Sequence, residues 1–363
     1  MNEFLDSTRL AFRHLHAGGM DTPVLTDRSP DDVLFRLASR HRVAGLWVAA
    51  GLAPAWKRNA YGQALYAARC TSEAERIYQY LQPVLPSVGL VKGPALATLA
   101  WPQPGLRHYD DLDFRCGKDD LDTLTSAFLS LGYRPEIADP NRQANLWHYG
   151  WGIAFVKDDG LRVEINHRLF PPHYPVPVRF EGVGDSIWMP LALDQRSVLT
   201  LAPAAHLLLC SMHAIWHGWE RLGWVVDIAG LMVRCPGILE QARQLAGRGF
   251  PRRALDSACQ VANGLFGPLP GAAAPEAASA RDLGEAVALL MRPDGRHAGT
   301  RRLQRRLCSP AEWFSSTLRR VLTPGDPDFK RWSLPEGQRY RYRLLRPLRL
   351  LTTLRQRIGA SAR

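Results

Sequence analysis

The sequence lacks any closely spaced pair of cysteines. Its six, Cys70, Cys116, Cys210, Cys235, Cys259 and Cys308, lie far apart with no C-x-x-C pair, which argues against a disulfide framework or a thiolate zinc site and points to a reducing compartment. No stretch reaches the roughly 18 uninterrupted apolar residues of a membrane span; the longest candidate is broken by His206, Ser211 and His213. The opening MNEFLDSTRLAFRHLHAGG carries acids early and lacks the apolar h-region of a secretory signal. No internal repeat with a period of about 20 to 50 residues is visible. These absences set aside secreted scaffolds, membrane-spanning proteins and repeat arrays, and the expectation is a cytoplasmic protein. What is present is globular: 363 residues, 46% hydrophobic and 9% aromatic, enough for two or three units at roughly 100 to 200 residues each.

The formal charge of +12 is unevenly placed. From Arg292 to the end the chain carries 18 basic and 5 acidic residues, a net +13, so the remainder is close to neutral. Within this segment Leu344, Leu348, Leu351 and Ile358 fall near helical spacing while Arg339, Arg343 and Arg346 point elsewhere, so an amphipathic basic helix is expected despite Pro347. Three uses stay open: docking on the protein's own core, an RNA or other phosphate-bearing partner, and an anionic membrane surface. Self-docking ranks first, RNA is kept as a partner, and a membrane is not expected as one.

Texture divides the chain into an N-terminal helical region (1–84), a small α+β core (85–185), a second helical domain (186–290) and the Arg-rich segment (291–363). Ser-Pro-Asp-Asp at 29–32 reads as a helix start. In the core, GLVKG and DLDFRC are short apolar runs, and GIAFVKDDGLRVEINHRLF is a hairpin closed by Lys157-Asp158-Asp159-Gly160. A helix starting near Lys118 to Asp120 and ending at Gly132 separates them. GPLPGAAAPEAASA reads as a loop or linker.

The sharpest chemical signal is Asp111-Leu112-Asp113 on a short strand, because residues i and i+2 share a face and aim both carboxylates at one point. Paired carboxylates are costly without a cation, and hard oxygen donors suit Mg²⁺ or Mn²⁺ bridged to phosphates. Glu164, in Arg162-Val163-Glu164-Ile165-Asn166, is the candidate third acid. Upstream, Lys92-Gly93 closes a strand and opens a helix whose free N–H groups could hold a phosphate, with Lys92 supplying charge.

The order of these parts resembles a polymerase-β-like nucleotidyltransferase, and in particular the nucleotidyltransferase family with L-K-G-x-x-L, R-x-x-x-D-I-D and V-E-x-H motifs. Here they read Val91-Lys92-Gly93-Pro94-Ala95-Leu96, Arg107-His108-Tyr109-Asp110-Asp111-Leu112-Asp113 and Val163-Glu164-Ile165-Asn166-His167. Two positions depart from the pattern. Pro94 stands where the superfamily has a second glycine or a serine, and Asn166 where the family has histidine. The resemblance implies an α+β core within helical regions, with attack of an acceptor hydroxyl or phosphate on the α-phosphorus of an NTP, ATP first among them. It makes Asp111, Asp113 and Glu164 the metal-binding and catalytic residues, and Lys92, Gly93 and Arg107 the nucleotide-binding ones. Arg107 would clamp phosphates or pair with Asp110.

The likeness continues through His213-Ala214-Ile215-Trp216-His217 to Asp227 and implies substrate contacts from Asn166, His213, Trp219, Arg221 and Asp227. His206, His213 and His217 share a helix face, and only the last two are near enough to share one ion. Asp227 needs a buried partner, Arg221 or a histidine, unless it serves the acceptor. Trp216, Trp219 and Trp224 either stack a base or fill the core. The acceptor implied is a biosynthetic small molecule, a peptide or a sugar; RNA-end or protein nucleotidylation and a catalytically degenerate nucleotide binder are the alternatives.

Overall fold

A computed structural model describes residues 2–17, 33–175, 187–272, 277–290 and 300–361. The expected start at Ser29 to Asp32 and the boundary at 290/291 lie at or beyond the edges of these segments. Four helices come first: α1 (Asn2–Ala17), α2 (Val33–Arg40), α3 (Ala44–Ala49) and α4 (Lys57–Leu81). Then β1 (Gly89–Val91) leads into α5 (Gly93–Ala100), β2 (Asp111–Arg115), α6 (Leu121–Ser130), β3 (Arg134–Pro135), α7 (Pro140–Tyr149), β4 (Gly152–Val156) and β5 (Arg162–Asn166). The start of α7 is fixed by its cap: Asp139 accepts the N–H groups of Asn141 and Arg142, and Pro140 presets the first turn. The hairpin β4–β5 and the helix ending before Gly132 (φ +81°) form as the sequence predicts.

Two more strands follow, β6 (Trp188–Ala192) and β7 (Ser197–Leu201). They join the same sheet, whose order is β3-β4-β5-β2-β1-β7-β6. This corrects the boundary expected at 185 and the helical reading of Ser197-Val198-Leu199-Thr200-Leu201. Burial along β7 alternates in its first half, and its pairing with β1 is parallel through Leu90 and Thr200, a long-range contact that local pattern does not reveal. Pro190 is tolerated because β6 is the edge strand.

Helices α8 (Pro203–Trp216), α9 (Leu222–Arg234), α10 (Ile238–Ala246) and α11 (Phe250–Phe266) come next. Two apolar clusters result. One joins α1–α3 to α8–α11, with Trp47 and Trp56 stacked at 5.4 Å between ring centres. The other fills the sheet beneath α4 and α6, around Ile77, Leu112, Phe114, Phe128 and Val163. The N-terminal 84 residues are therefore not one unit: α4 belongs with the sheet and the helices before it with the second helical region. α5 ties the two together, because Gly230 of α9 lets Ala100 O approach to 2.1 Å from where a Cβ would stand. No single helix among the described residues is long and apolar enough to cross a membrane; α9 and α10 reach that composition only as a pair bent by 119°, and they are core helices.

α12 (Ala277–Leu290) closes the second helical region, and the basic segment forms α13 (Thr300–Leu307), α14 (Pro310–Leu322), α15 (Asp326–Arg331) and α16 (Tyr342–Ser361). α14 opens with a capping box, Ser309 with Glu312. α16 runs through Pro347 as expected, but its docking face is the reverse of the leucine face. Tyr342 is buried against Tyr149 and Phe329, and Arg346 and Arg349 both bind Asp328, while Leu344, Leu348 and Leu351 face outward. The side chain of Ile358 lies outside the described residues.

Candidate active site

The register of β2 and β5 builds the acidic centre. In this parallel pair Asp111 lies beside Arg162 and Asp113 beside Glu164, so the four side chains share one face. β1 runs antiparallel to β2 on its other side, with Val91 opposite Asp113. The chain leaves β1 through Lys92 at φ +57° and Gly93 at φ +44°, the left-handed region in which only the second residue is free of strain. That turn aims the Lys92 ammonium at the Asp113 carboxylate, 3.6 Å away, and starts α5 beside it.

The strained turn has a buried support. His206, fully enclosed, donates its Nδ1–H to Leu201 O at 2.9 Å and accepts the Lys92 N–H on Nε2 at 3.4 Å. Burial lowers its pKa to about 3, so the ring stays neutral in this tautomer. His206 thus leaves the stripe predicted for it and positions Lys92 from behind, whereas His213 and His217 reach the cavity with ring centres 4.5 Å apart.

Charge in the centre is poorly balanced. Burial pushes the Asp113 carboxyl up to about 7, against the opposing pull of Lys92, and Asp111 and Glu164 push the same way. Asp111 is raised by burial first and Glu164 second. Burial works against the Lys92 charge, yet the three carboxylates raise its pKa. Arg162 supplies the remaining cation: one Nη contacts Asp111 Oδ2 at 3.2 Å and also Glu164. Its other edge holds Glu136 through two bonds of 3.1 Å. Among the described residues no three acidic, histidine or cysteine side chains close around a common point, and this guanidinium bridges Asp111 to Glu164. Nothing in the residue types of the V-E-x-H motif singles out Arg162; its position two residues before Glu164, hence on the same face, was the available signal.

Arg107 pairs not with Asp110 but with Asp227, in two bonds, Nε to Oδ1 at 2.8 Å and Nη2 to Oδ2 at 2.9 Å, both residues buried, while it still lines the cavity. Trp101 donates to the same carboxylate at 2.6 Å, so the partner of Asp227 is neither Arg221 nor a histidine. Asp227 stands behind the cavity, and Arg107 locks the Gly93 turn to α9, with Nη1 3.5 Å from Gly93 O. Trp219 is 1% exposed and forms core instead of a stacking platform; its positive φ of +58° turns the chain so that Glu220 and Arg221 reach the cavity.

Asp110, left without Arg107, collects Arg42, Arg221 at 3.7 Å and His108 at 3.0 Å. The His108 bond, opposed by partial burial and aided by Arg42, holds its carboxyl below the ordinary range. Arg42 is a residue that sequence reasoning missed. It occupies the turn between α2 and α3 at φ +60°, and that turn is seated on α9 by Gly223 N–H donating to His41 O at 2.9 Å. All of this surrounds a cavity of about 540 Å³ lined by Lys92, Gly93, Asp111, Asp113, Glu164 and Asn166, with Arg42, His213 and Arg221 on its walls. Trp151, Trp216 and Trp224 supply its aromatic surface. A second cavity of about 400 Å³, mostly apolar, adjoins it and shares Arg42, Arg107, Tyr109 and Asp110.

A paired-acid strand beside a Lys-Gly turn and a helix start is an arrangement that can hold a triphosphate. A comparison with curated proteins finds no match. A family profile described as an uncharacterised nucleotidyltransferase matches residues 30–267, well over half of the chain and the whole of the sheet and cavity. The chain belongs to that uncharacterised nucleotidyltransferase family, and its activity class is nucleotidyl transfer.

Proposed function

We propose that the protein transfers a nucleoside monophosphate from an NTP, ATP first among them, to a hydroxyl or phosphate acceptor with Mg²⁺ as cofactor. The observation that carries this reading is the alignment of Asp111 and Asp113 with Glu164 beside the Lys92-Gly93 turn, all in one cavity. The donor set fits a hard divalent cation: carboxylate oxygens short of positive partners in a buried site. Asp111 and Asp113 would hold it, and Glu164, which pairs here with Arg162, would be the third carboxylate. The bound metal would neutralise charge on the phosphates and on the attacking oxygen.

The chain's own residues do the rest. Lys92 and the first N–H groups of α5 seat the triphosphate, and Arg42 and Arg221 close on its outer oxygens in exchange for Asp110. The acceptor oxygen attacks the α-phosphorus in line, the bond to the bridging α,β-oxygen breaks, and pyrophosphate leaves. Glu164 takes the acceptor proton. Asn166, His213 and the tryptophans lining the cavity orient the base or the acceptor; the acceptor is read, by family analogy, as a small molecule, peptide or sugar.

The test is pyrophosphate release from each of the four NTPs with Mg²⁺, in the presence of small-molecule and RNA fractions as acceptor sources, for wild type and Asp111→Asn/Asp113→Asn. Release from one NTP that vanishes in the variant is expected. Release that persists in the variant would overturn the assignment of these carboxylates.

A further inference from the structure

The sequence leaves the use of the basic segment open, and the structure separates its charges into two sets. Every described acid in it is turned to internal use: Glu312 pairs with Arg253, Asp326 with Arg142, Asp328 with Arg346 and Arg349, and Glu336 with Arg339. Arg301, Arg302, Arg305, Arg319 and Arg341 are exposed and form no ion pair among the described residues. The positive charges are close enough to act on one another: burial, then Arg301 and Arg346, lower the pKa of Arg320. The segment therefore presents uncompensated positive charge over α13, α14 and the turn that leads into α16.

Apolar surface accompanies it. On α14, Phe314, Leu318 and Leu322 recur at four-residue spacing and all are exposed, Phe314 at 70%. On α16, Leu344, Leu348 and Leu351 form a second stripe, Leu344 at 69%. The two helices pack on each other, Arg346 donating to Arg320 O through Nε at 3.1 Å and Nη2 at 2.9 Å. The inner faces are already occupied, α14 by Ser316 donating to His173 O at 2.8 Å and α16 by Tyr342. The stripes are thus left over after docking and have no partner within the described fold.

We propose that α14 and α16 form a peripheral docking surface for an anionic lipid bilayer, the leucines and Phe314 entering the headgroup boundary while the arginines bind lipid phosphates. Charge complementarity selects this occupant. A second copy of the chain would bring like charge against like. RNA would be met by a row of aromatic side chains interleaved with the arginines; of the seven exposed large apolar groups in the segment only Phe314 and Tyr340 are aromatic, and the other five are leucines, which have no face on which a base stacks. Leucine stripes flanked by arginine suit hydrocarbon beneath anionic headgroups. The surface lies outside the cavity, so the inference stands apart from the transferase reading.

The experiment is co-sedimentation of the full chain with vesicles of phosphatidylcholine alone and of phosphatidylcholine mixed with phosphatidylglycerol, at low and high salt. Binding to the anionic vesicles only, weakened by salt, is expected. Leu344→Ser/Leu348→Ser should weaken it by about tenfold or more, with Phe314→Ser as an independent second variant and an unchanged melting curve as the control for folding. Arg319→Gln and Arg341→Gln should each cost about fivefold. The proposal is overturned if the anionic vesicles do not bind the wild type, or if the leucine variant binds them equally well. A leucine-dependent dimer without vesicle binding would overturn it in favour of self-association, and RNA binding without vesicle binding in favour of RNA.

Discussion

Asp113 in the sheet and Asp328 in the C-terminal helices are both buried carboxylates, and their surroundings could hardly differ more. Asp328 accepts from Arg346 at 2.7 Å, from Arg349, and from the Gly325 N–H at 2.9 Å. Burial disfavours its charge, but these donors outweigh that and hold its pKa below the ordinary value. Asp113 has one ammonium at 3.6 Å and two carboxylates for neighbours, and its pKa rises to about 7. A carboxylate that serves only the fold is satisfied by the fold. On the reading proposed above, one left short of cations in the lining of a cavity is kept for a ligand that brings positive charge.

The comparison breaks most visibly in opposite responses to neutralisation. Asp111→Asn/Asp113→Asn should reduce pyrophosphate release by about a thousandfold or more while leaving the melting temperature equal or higher, since like-charge repulsion is removed; a stability loss would show that these acids hold the fold. Asp328→Asn should do the reverse. Leaving two partly buried guanidinium groups without their anion costs about 2–3 kcal/mol, read as a lower denaturant midpoint, with pyrophosphate release retained by the folded fraction.

Histidines sharpen the contrast with pH. His167, whose Nε2–H donates to Trp147 O at 2.7 Å, directly follows β5, and His173 lies beside the C-terminal arginines; burial lowers both to about 4. Between about pH 6.5 and 4 the unfolded chain binds protons that these folded rings refuse, so unfolding free energy should fall as pH falls through that window. Thermal melts across it should show the drop, and His173→Gln should flatten the part contributed by the C-terminal side. The smallest effect is expected at Arg162. Arg162→Gln removes the guanidinium that bridges Asp111 to Glu164 and should tighten Mn²⁺ binding by about tenfold, roughly 1.4 kcal/mol, measured by calorimetric titration of the protein alone. An unchanged affinity would mean that the guanidinium does not compete for the carboxylates.

Much of this site was legible in the chain because it is local. Asp111 and Asp113 share a face by the period of a strand, and Lys92-Gly93 announces a turn into a helix. The hairpin after β4 and the helix before Gly132 follow from turn chemistry in the same way. What stayed hidden depends on contacts between distant segments. The Arg107–Asp227 pair spans 120 residues and His206 reaches Lys92 across 114; no spacing rule reports either. Arg42 reaches the cavity only because the α2–α3 turn sits on α9. Trp219 and the leucines of α16 show the same limit from the other side, since periodicity names an amphipathic face but not which face the rest of the protein will cover.

By itself, then, the sequence determined the acidic pair, the Lys-Gly turn, the third acid two residues after Arg162, and the location of the positive charge. Backbone geometry over a few residues is enough to place those groups. Tertiary structure alone decided that β6 and β7 complete the sheet, that Arg107 is spent on Asp227, and that Arg162 stands guard over the acids. It also decided that the basic helix docks by its arginines and leaves its leucines in solvent. Such choices are made by competition among buried partners for a limited number of charges and surfaces, and that competition exists only once the chain has closed on itself.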